Sequence, residues 1–182
     1  MTSAQHHRLP VAGQYPEGMT ATPPSLPALE LLPGFTARRA DRSDLPALIE
    51  LLHDDMLGQT RERHDDGAYL RGFEAVNADP AQFLAVVEDS PGTVVGMMQL
   101  SLIPGISRGG RLRLNIEGVR IGRTLRGQGL GSAMITWALE FGRLNGAGLV
   151  QLTTDGRRTD AQRFYARLGF VASHVGMKFE LD

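Results

Sequence analysis

Between positions 45 and 56 the apolar residues Leu45, Leu48, Ile49, Leu52 and Met56 recur at the spacing of one helix face. Ser43, just ahead of them, reads as the cap, and Pro46 suits the first turn. Tyr69, Phe73 and Val76 mark a second, shorter helix. The pattern then changes. Phe83 to Glu88 and Val94 to Leu102 are strand-like runs flanking Asp89-Ser90-Pro91-Gly92, a turn sequence, so they predict a hairpin. Pro104, Gly105, Gly109 and Gly110 predict a loop, and Leu112 to Ile121 the next strand. A long helix is expected from Ser132 to Leu144, with Ala133, Ile135, Trp137, Ala138 and Phe141 available to pack and Gly146 and Gly148 to end it. Leu149 to Thr153 reads as a strand, Thr159 to Leu168 as a helix stopped by Gly169, and the remainder as strand. With a short strand at Phe35 to Arg39, the order is β-α-α-β-β-β-α-β-α-β. That predicts an α/β chain whose mixed sheet joins a hairpin meander to a βαβ crossover.

Ahead of this pattern lies a segment of different character. Residues 1 to 33 hold Pro10, Pro16, Pro23, Pro24, Pro27 and Pro33 and few apolar positions before Leu26. Such a stretch buries too little surface to offset its ordering entropy, so it reads as a disordered extension, with Leu29, Leu31 and Leu32 able to dock locally. Residues 34 to 182 then form one domain. There is no internal repeat, and no apolar run approaches the roughly 20 residues of a membrane span. The N-terminus has no signal-peptide core, so the expected location is cytoplasmic.

Composition narrows the chemistry. A net charge of -1 gives no general attraction to nucleic acid or anionic membranes, and neither is an expected partner. The absence of cysteine excludes disulfides, thiolate metal sites and a cysteine nucleophile. The histidines His6, His7, His53, His64 and His174 show no metal-ligand spacing, so no metal is expected.

The residues with chemical content are Arg126-Gly127-Gln128-Gly129-Leu130-Gly131, at a strand-to-helix junction. Three glycines in five residues let backbone N–H groups approach an anion, and the following helix presents its positive end. A P-loop would need Lys-Ser or Lys-Thr after the last glycine, where Ser132-Ala133 stands. A dinucleotide fingerprint needs a different glycine spacing and a downstream acid. On its own the run is either an anion cradle or a glycine-rich turn.

A second motif resolves the alternatives. Arg126, Gly129 and Gly131 match Arg/Gln-x-x-Gly-x-Gly/Ala, and one helix and one strand later comes Ala161-Gln162-Arg163-Phe164-Tyr165-Ala166-Arg167-Leu168-Gly169-Phe170. Together these resemble the GCN5-related N-acetyltransferase (GNAT) superfamily, over Phe35 to about Leu181. The resemblance implies a central, twisted, mostly antiparallel sheet, splayed at the cofactor site and flanked by helices. It implies acetyl-CoA as cosubstrate, with its pantetheine arm against the backbone of Val119 and Ile121. The pyrophosphate would lie on Arg126, Gly127, Gln128, Gly129, Leu130, Gly131 and Ser132. Where relatives carry Asn before the late motif this chain has Arg158, and Arg157 and Arg158 either meet the cofactor or form a solvated pair.

Tyr165 matches the family's position for the acid that protonates the departing thiolate. Glu117, two residues before Val119, would share its face by strand alternation and is the candidate base. Without cysteine, direct transfer in a ternary complex is favoured over an acetyl-enzyme. Residues 50 to 79 carry eight acids against three bases and residues 108 to 143 seven bases against two acids, which suits a cationic amine on one side and CoA on the other. Leu51 to Glu62, Gln151 to Asp155 and Phe170 to His174 further resemble a subgroup that includes kasugamycin 2'-N-acetyltransferases. That implies an aminoglycoside acceptor and antibiotic resistance, with Asp54, Asp55 and Glu62 as the amine subsite. The expected partner is thus a small-molecule amine, and a homodimer stays open. Protein N-acetylation and a non-catalytic acyl-CoA-binding module are the alternatives.

Overall fold

The computed structural model describes Leu26, residues 29–54 and residues 65–181. Six strands lie in one sheet in chain order: β1 (Leu29–Leu32), β2 (Phe35–Arg39), β3 (Gln82–Asp89), β4 (Val94–Ile103), β5 (Arg113–Ile121) and β6 (Leu149–Leu152). Every neighbouring pair is antiparallel except β5 and β6, which are parallel. Among the described residues the main helices are α1 (Leu45–His53), α2 (Asp66–Ala78), α3 (Leu130–Leu144) and α4 (Thr159–Arg167). This is the mixed, largely antiparallel sheet flanked by helices that the sequence predicts. The β5–α3–β6 unit is its crossover.

Strand alternation sorts the core onto two faces. Phe83, Ala85, Val87, Met98, Leu100, Leu114 and Ile116 meet α3, where Phe83, Trp137 and Phe141 form a triangle with ring centroids 5.1 to 5.9 Å apart. Val86 and Met97 point the other way, onto Leu48 and Leu51 of α1 and Phe73 of α2. The hairpin closes where expected, with the Gly92 N–H donating to the Asp89 carbonyl at 2.8 Å.

Three expectations are corrected. The sheet begins inside the segment assigned to the extension, because Leu29 and Glu30 pair with Ala37 and Thr36 while Leu31 and Leu32 pack on the core. The cap before α1 is Asp41 rather than Ser43. A 3₁₀ turn, Arg42–Asp44, intervenes, and its carboxylates reciprocate: Asp41 accepts from the Ser43 N–H, Asp44 from the Asp41 N–H. After α4 the chain does not return to the sheet: residues 170–181 hold no strand. No helix among the described residues is long and apolar enough to cross a membrane.

Candidate active site

The site is built by a parting of strands. β5 pairs with β6 only from Arg113 to Ile116, opposite Leu149 to Leu152. From Glu117 to Ile121 it keeps β4 on one side and, among the described residues, no strand on the other. Backbone N–H and C=O groups facing such a gap seek partners. The open stretch contains Val119 and Ile121, the two positions expected to meet the pantetheine amides.

A bulge redirects the side chains here. Glu117 pairs with Gln99 and Arg120 with Met97, so Gly118 and Val119 together oppose the single residue Met98. Gly118 has φ +59°, the left-handed conformation that glycine adopts without strain. The bulge overturns the expectation that Glu117 and Val119 share a face. Val119 and Ile121 pack toward α3. Glu117 lies across from Gln99, which pairs with Leu84, a residue of the cluster beneath α1 and α2. Glu117 thus sits, exposed, on the α1/α2 side.

It ends a polar strip that sequence reasoning did not single out. Gln99 Nε2 and Ser101 Oγ donate to Gln82 Oε1 at 3.0 and 2.6 Å. Asn115 pairs with Ser101 and accepts from Gln151 Nε2 at 3.3 Å. The legible signal was polar residues at alternate positions of otherwise apolar strands.

The glycine loop leads from β5 into α3. Gly127 and Gly129 have φ of +79° and +87°, and a Cβ built on either would meet nothing within 4 Å. Both therefore face open space that backbone can approach. No side chain caps α3, so its first-turn N–H groups stay available to an anion. Gly131 serves differently: a Cβ there would stand 3.2 Å from Ile121 Cδ1 and 3.4 Å from the Phe164 ring, so its smallness lets β5, α3 and α4 converge. Leu130, 1% exposed, is a core anchor whose side chain cannot touch a ligand. Gln128 Nε2 donates to the Thr124 carbonyl, bracing the loop at 2.7 Å, and Ser132 stands half-buried in the first turn of α3. The open loop and the parted strands fit a phosphate-bearing, amide-bearing cosubstrate such as acetyl-CoA.

Tyr165 is half-buried on α4, its ring in edge contact with Phe164 and Phe170 at 5.1 and 5.8 Å. Burial pushes its phenol up, while Arg158 and Arg120 pull the other way. The ring therefore lies within electrostatic range of the open half of β5. Arg157 is exposed and grips Asp155 through two bonds of 2.9 and 2.8 Å, which braces the turn before α4.

The expected amine subsite looks different in the structure. Asp54 caps the end of α1 and is held by Arg123 at 2.5 Å and Arg126 at 3.1 Å. Arg126 also donates from Nε to the Ile121 carbonyl. The Asp54 carboxylate is therefore a brace between α1 and the glycine loop, and Arg126 is engaged by protein on both sides. Asp55 and Glu62 lie outside the described residues.

Comparison with known proteins identifies the family. Residues 45–170 match the acetyltransferase (GNAT) family model. The chain is 30% identical over 145 residues to an aminoalkylphosphonate N-acetyltransferase of Salmonella typhimurium, spanning 80% of this chain and 90% of that protein. It is 32% identical over 150 residues to a glucosamine 6-phosphate N-acetyltransferase of Trypanosoma brucei brucei, spanning 79% and 94%. A solved structure from Bacillus halodurans C-125, described as a transcriptional regulator, superposes with a TM-score of 0.77 at 41% identity, over 81% of this chain and 99% of that one. The stretch that matches the family model contains the parted strands, the open glycine loop and the late tyrosine, and the chain belongs to the GNAT acetyltransferase family.

Proposed function

We propose that this protein moves the acetyl group of acetyl-CoA directly to the primary amine of a small molecule. The observation that carries this is the gap between β5 and β6, which opens beyond Ile116 beside an uncapped helix start. Acetyl-CoA supplies the thioester. The backbone of Val119 and Ile121 holds the arm in the gap, and the Gly127–Ser132 backbone receives the phosphates. Glu117, on the opposite face from Val119, takes the amine's proton directly or through water, so that a neutral amine attacks. Tyr165, kept protonated by burial, gives a proton to the leaving sulfur.

Two acceptor classes divide the small amines. An aminoglycoside such as kasugamycin follows from the subgroup resemblance and needs carboxylates for its cationic groups. Asp54 is already committed to Arg123 and Arg126, which leaves Asp55, Glu62 and Glu117 for that work. The second class is an amine that also carries a phosphate or phosphonate group. Both named relatives act on such amines.

The test is thiol release from acetyl-CoA against kasugamycin, other aminoglycosides, glucosamine 6-phosphate, an aminoalkylphosphonate and a peptide amine. Turnover with a small amine is expected, together with a loss of about 10²- to 10⁴-fold in Glu117→Gln that shrinks at high pH, where more amine is already neutral. Acetylation of the peptide alone would overturn the small-molecule reading. A Glu117→Gln defect that ignores pH would leave Glu117 an orienting residue only.

A further inference from the structure

On the α1/α2 side of the sheet, beside the gap, polar side chains form two rows across the strands. The row level with Glu117 holds Gln99, its partner on β4. The next row, two residues back along β5, runs Gln82, Ser101, Asn115 and Gln151 across β3, β4, β5 and β6. Strand alternation puts Arg113 on the same face, two residues before Asn115. Ser101 is buried, while Gln82, Asn115, Gln151 and Arg113 are half-buried. Polar groups held this far from water cost free energy unless something pairs with them.

The bonds within these rows fix which way the amides point. A guanidinium carries N–H donors and no acceptor, so Arg113 donates, to Gln151 Oε1 at 3.4 Å. The Gln151 amide is thereby turned to donate in its turn, to Asn115 Oδ1 at 3.3 Å. Asn115 is left with Nδ2, whose N–H donors have no partner among the described residues. Gln82 reaches the same state from the other side. Its Oε1 accepts from both Ser101 Oγ and Gln99 Nε2, which leaves Gln82 with a spare Nε2 and Gln99 with a spare Oε1. The spare valences therefore sort by row. Level with Glu117 they are acceptors, and one row back they are donors, to which Arg113 adds a positive charge.

We propose that the two rows recognise the two ends of one acceptor molecule: an amine at Glu117 and Gln99, and an anionic oxygen group (phosphate, phosphonate or carboxylate) at Asn115, Gln82 and Arg113. The assignment rests on the small-amine acetyltransferase reading and adds the residues that choose the amine. The order of the rows suits the chemistry, because the amine end lies where β5 leaves β6 and the gap begins. The rows stand two strand residues apart, roughly 7 Å, a span that a hexosamine or a short alkyl chain can bridge. A polycationic acceptor would press its own N–H groups against the donor row and leave both sides unpaired. Gln151 touches no substrate in this scheme. It is a positioning residue that passes the polarity of Arg113 on to Asn115.

Two matched pairs of probes test this: glucosamine 6-phosphate against glucosamine, and aminoethylphosphonate against ethanolamine, each with acetyl-CoA and read by thiol release. The wild type should prefer the anionic member of at least one pair by about tenfold or more in kcat/KM. Asn115→Asp keeps the side chain's size and lets Gln151 go on donating, but turns the spare amide nitrogen into an anionic oxygen. It should raise the KM of the anionic member at least about tenfold more than that of its neutral-ended partner. Gln82→Glu makes the same reversal on the other side of Ser101, should Asn115→Asp fold poorly. Gln151→Glu tests the relay: it can no longer donate, so the intact Asn115 amide should turn over and show the same selective rise in KM. Equal use of both members, preference for the neutral-ended one, turnover confined to aminoglycosides, or a KM that rises equally for both members in these variants would overturn the assignment and leave the acetyltransferase reading in place. No turnover of any small amine would overturn that reading, and this assignment with it.

Discussion

Helices α3 and α4 both follow a strand that borders the gap, yet they are held in opposite ways. α3 buries Leu130, Met134, Ile135, Trp137, Ala138, Phe141 and Gly142, and so is part of the core. α4 has no fully buried residue. Its attachment is the Phe164–Tyr165–Phe170 group, the approach of Phe164 to Gly131, and the bracing of Arg157 on Asp155. The proposed cofactor loop is therefore set on the most rigid helix, while Tyr165, the proposed acid, rides on a lightly held one. Stability and turnover should come apart along this line.

Phe141 and Phe164 break the comparison most sharply. Phe141→Ala should cost about 3–5 kcal/mol of unfolding free energy, the range for a fully buried aromatic, with kcat near normal in the folded fraction. Phe164→Ala should cost clearly less stability and more turnover, because it loosens Tyr165. Denaturant melts set beside kcat decide it, and equal stability losses would show α4 to be as much core as α3.

Tyr165→Phe tests the lightly held side by chemistry alone. Turnover should fall by about 10², with little change in acetyl-CoA affinity, because the hydroxyl is needed for charge that develops in the transition state. Burial raises the phenol above its ordinary value of 10.0, so its protonated form persists to higher pH. The alkaline fall in kcat should therefore lie above pH 10 and be missing from the Phe variant. A limb that survives in Tyr165→Phe would assign the acid elsewhere.

The glycines separate the two helices within one loop. At Gly129, φ +87° is a conformation that a β-branched side chain resists. Gly129→Val should raise the acetyl-CoA dissociation constant at least about tenfold, or 1.4 kcal/mol. Gly131→Ala should leave that constant almost unchanged and lower kcat a few-fold, because its Cβ presses on Phe164. Calorimetry together with kinetics reads both.

What was legible in the chain follows the same division. Elements whose residues satisfy one another locally were readable. The α3 stripe, the Asp89–Gly92 turn and the Gly146 and Gly169 stops all announce themselves within a few residues. The candidate site was readable as backbone geometry, in the positive-φ glycines and in the open strand stretch that holds Val119 and Ile121. It failed where one residue's meaning depends on a distant one. Gly118 looks like an ordinary strand glycine, yet its bulge carries Glu117 to the opposite face from Val119. Asp54 reads as a free helix-end acid until the fold brings Arg123 and Arg126 to it, 69 and 72 residues away in sequence. The final segment has true strand alternation, but pattern fixes a strand's faces without naming its partner.

Asp54 also gives the finest test of the cofactor side. Its pairs with Arg123 and Arg126 are partly exposed, with side chains 28, 58 and 47% accessible, so their net worth is under about 1 kcal/mol. Asp54→Asn should accordingly shift stability only slightly, the more so because both arginines also donate to the Asp54 backbone carbonyl. The larger consequence is for ligands. A carboxylate beside the glycine loop competes with phosphate for the two guanidiniums. Its removal should tighten acetyl-CoA binding by up to about fivefold at low ionic strength, an effect of the same 1 kcal/mol size. The gain should fade near 1 M salt, where the screening length falls to about 3 Å. If Asp54 instead holds the acceptor amine, the variant would leave acetyl-CoA affinity untouched and raise the amine KM. Calorimetry at two salt concentrations, beside a KM measurement, separates a brace of the cofactor loop from a substrate contact.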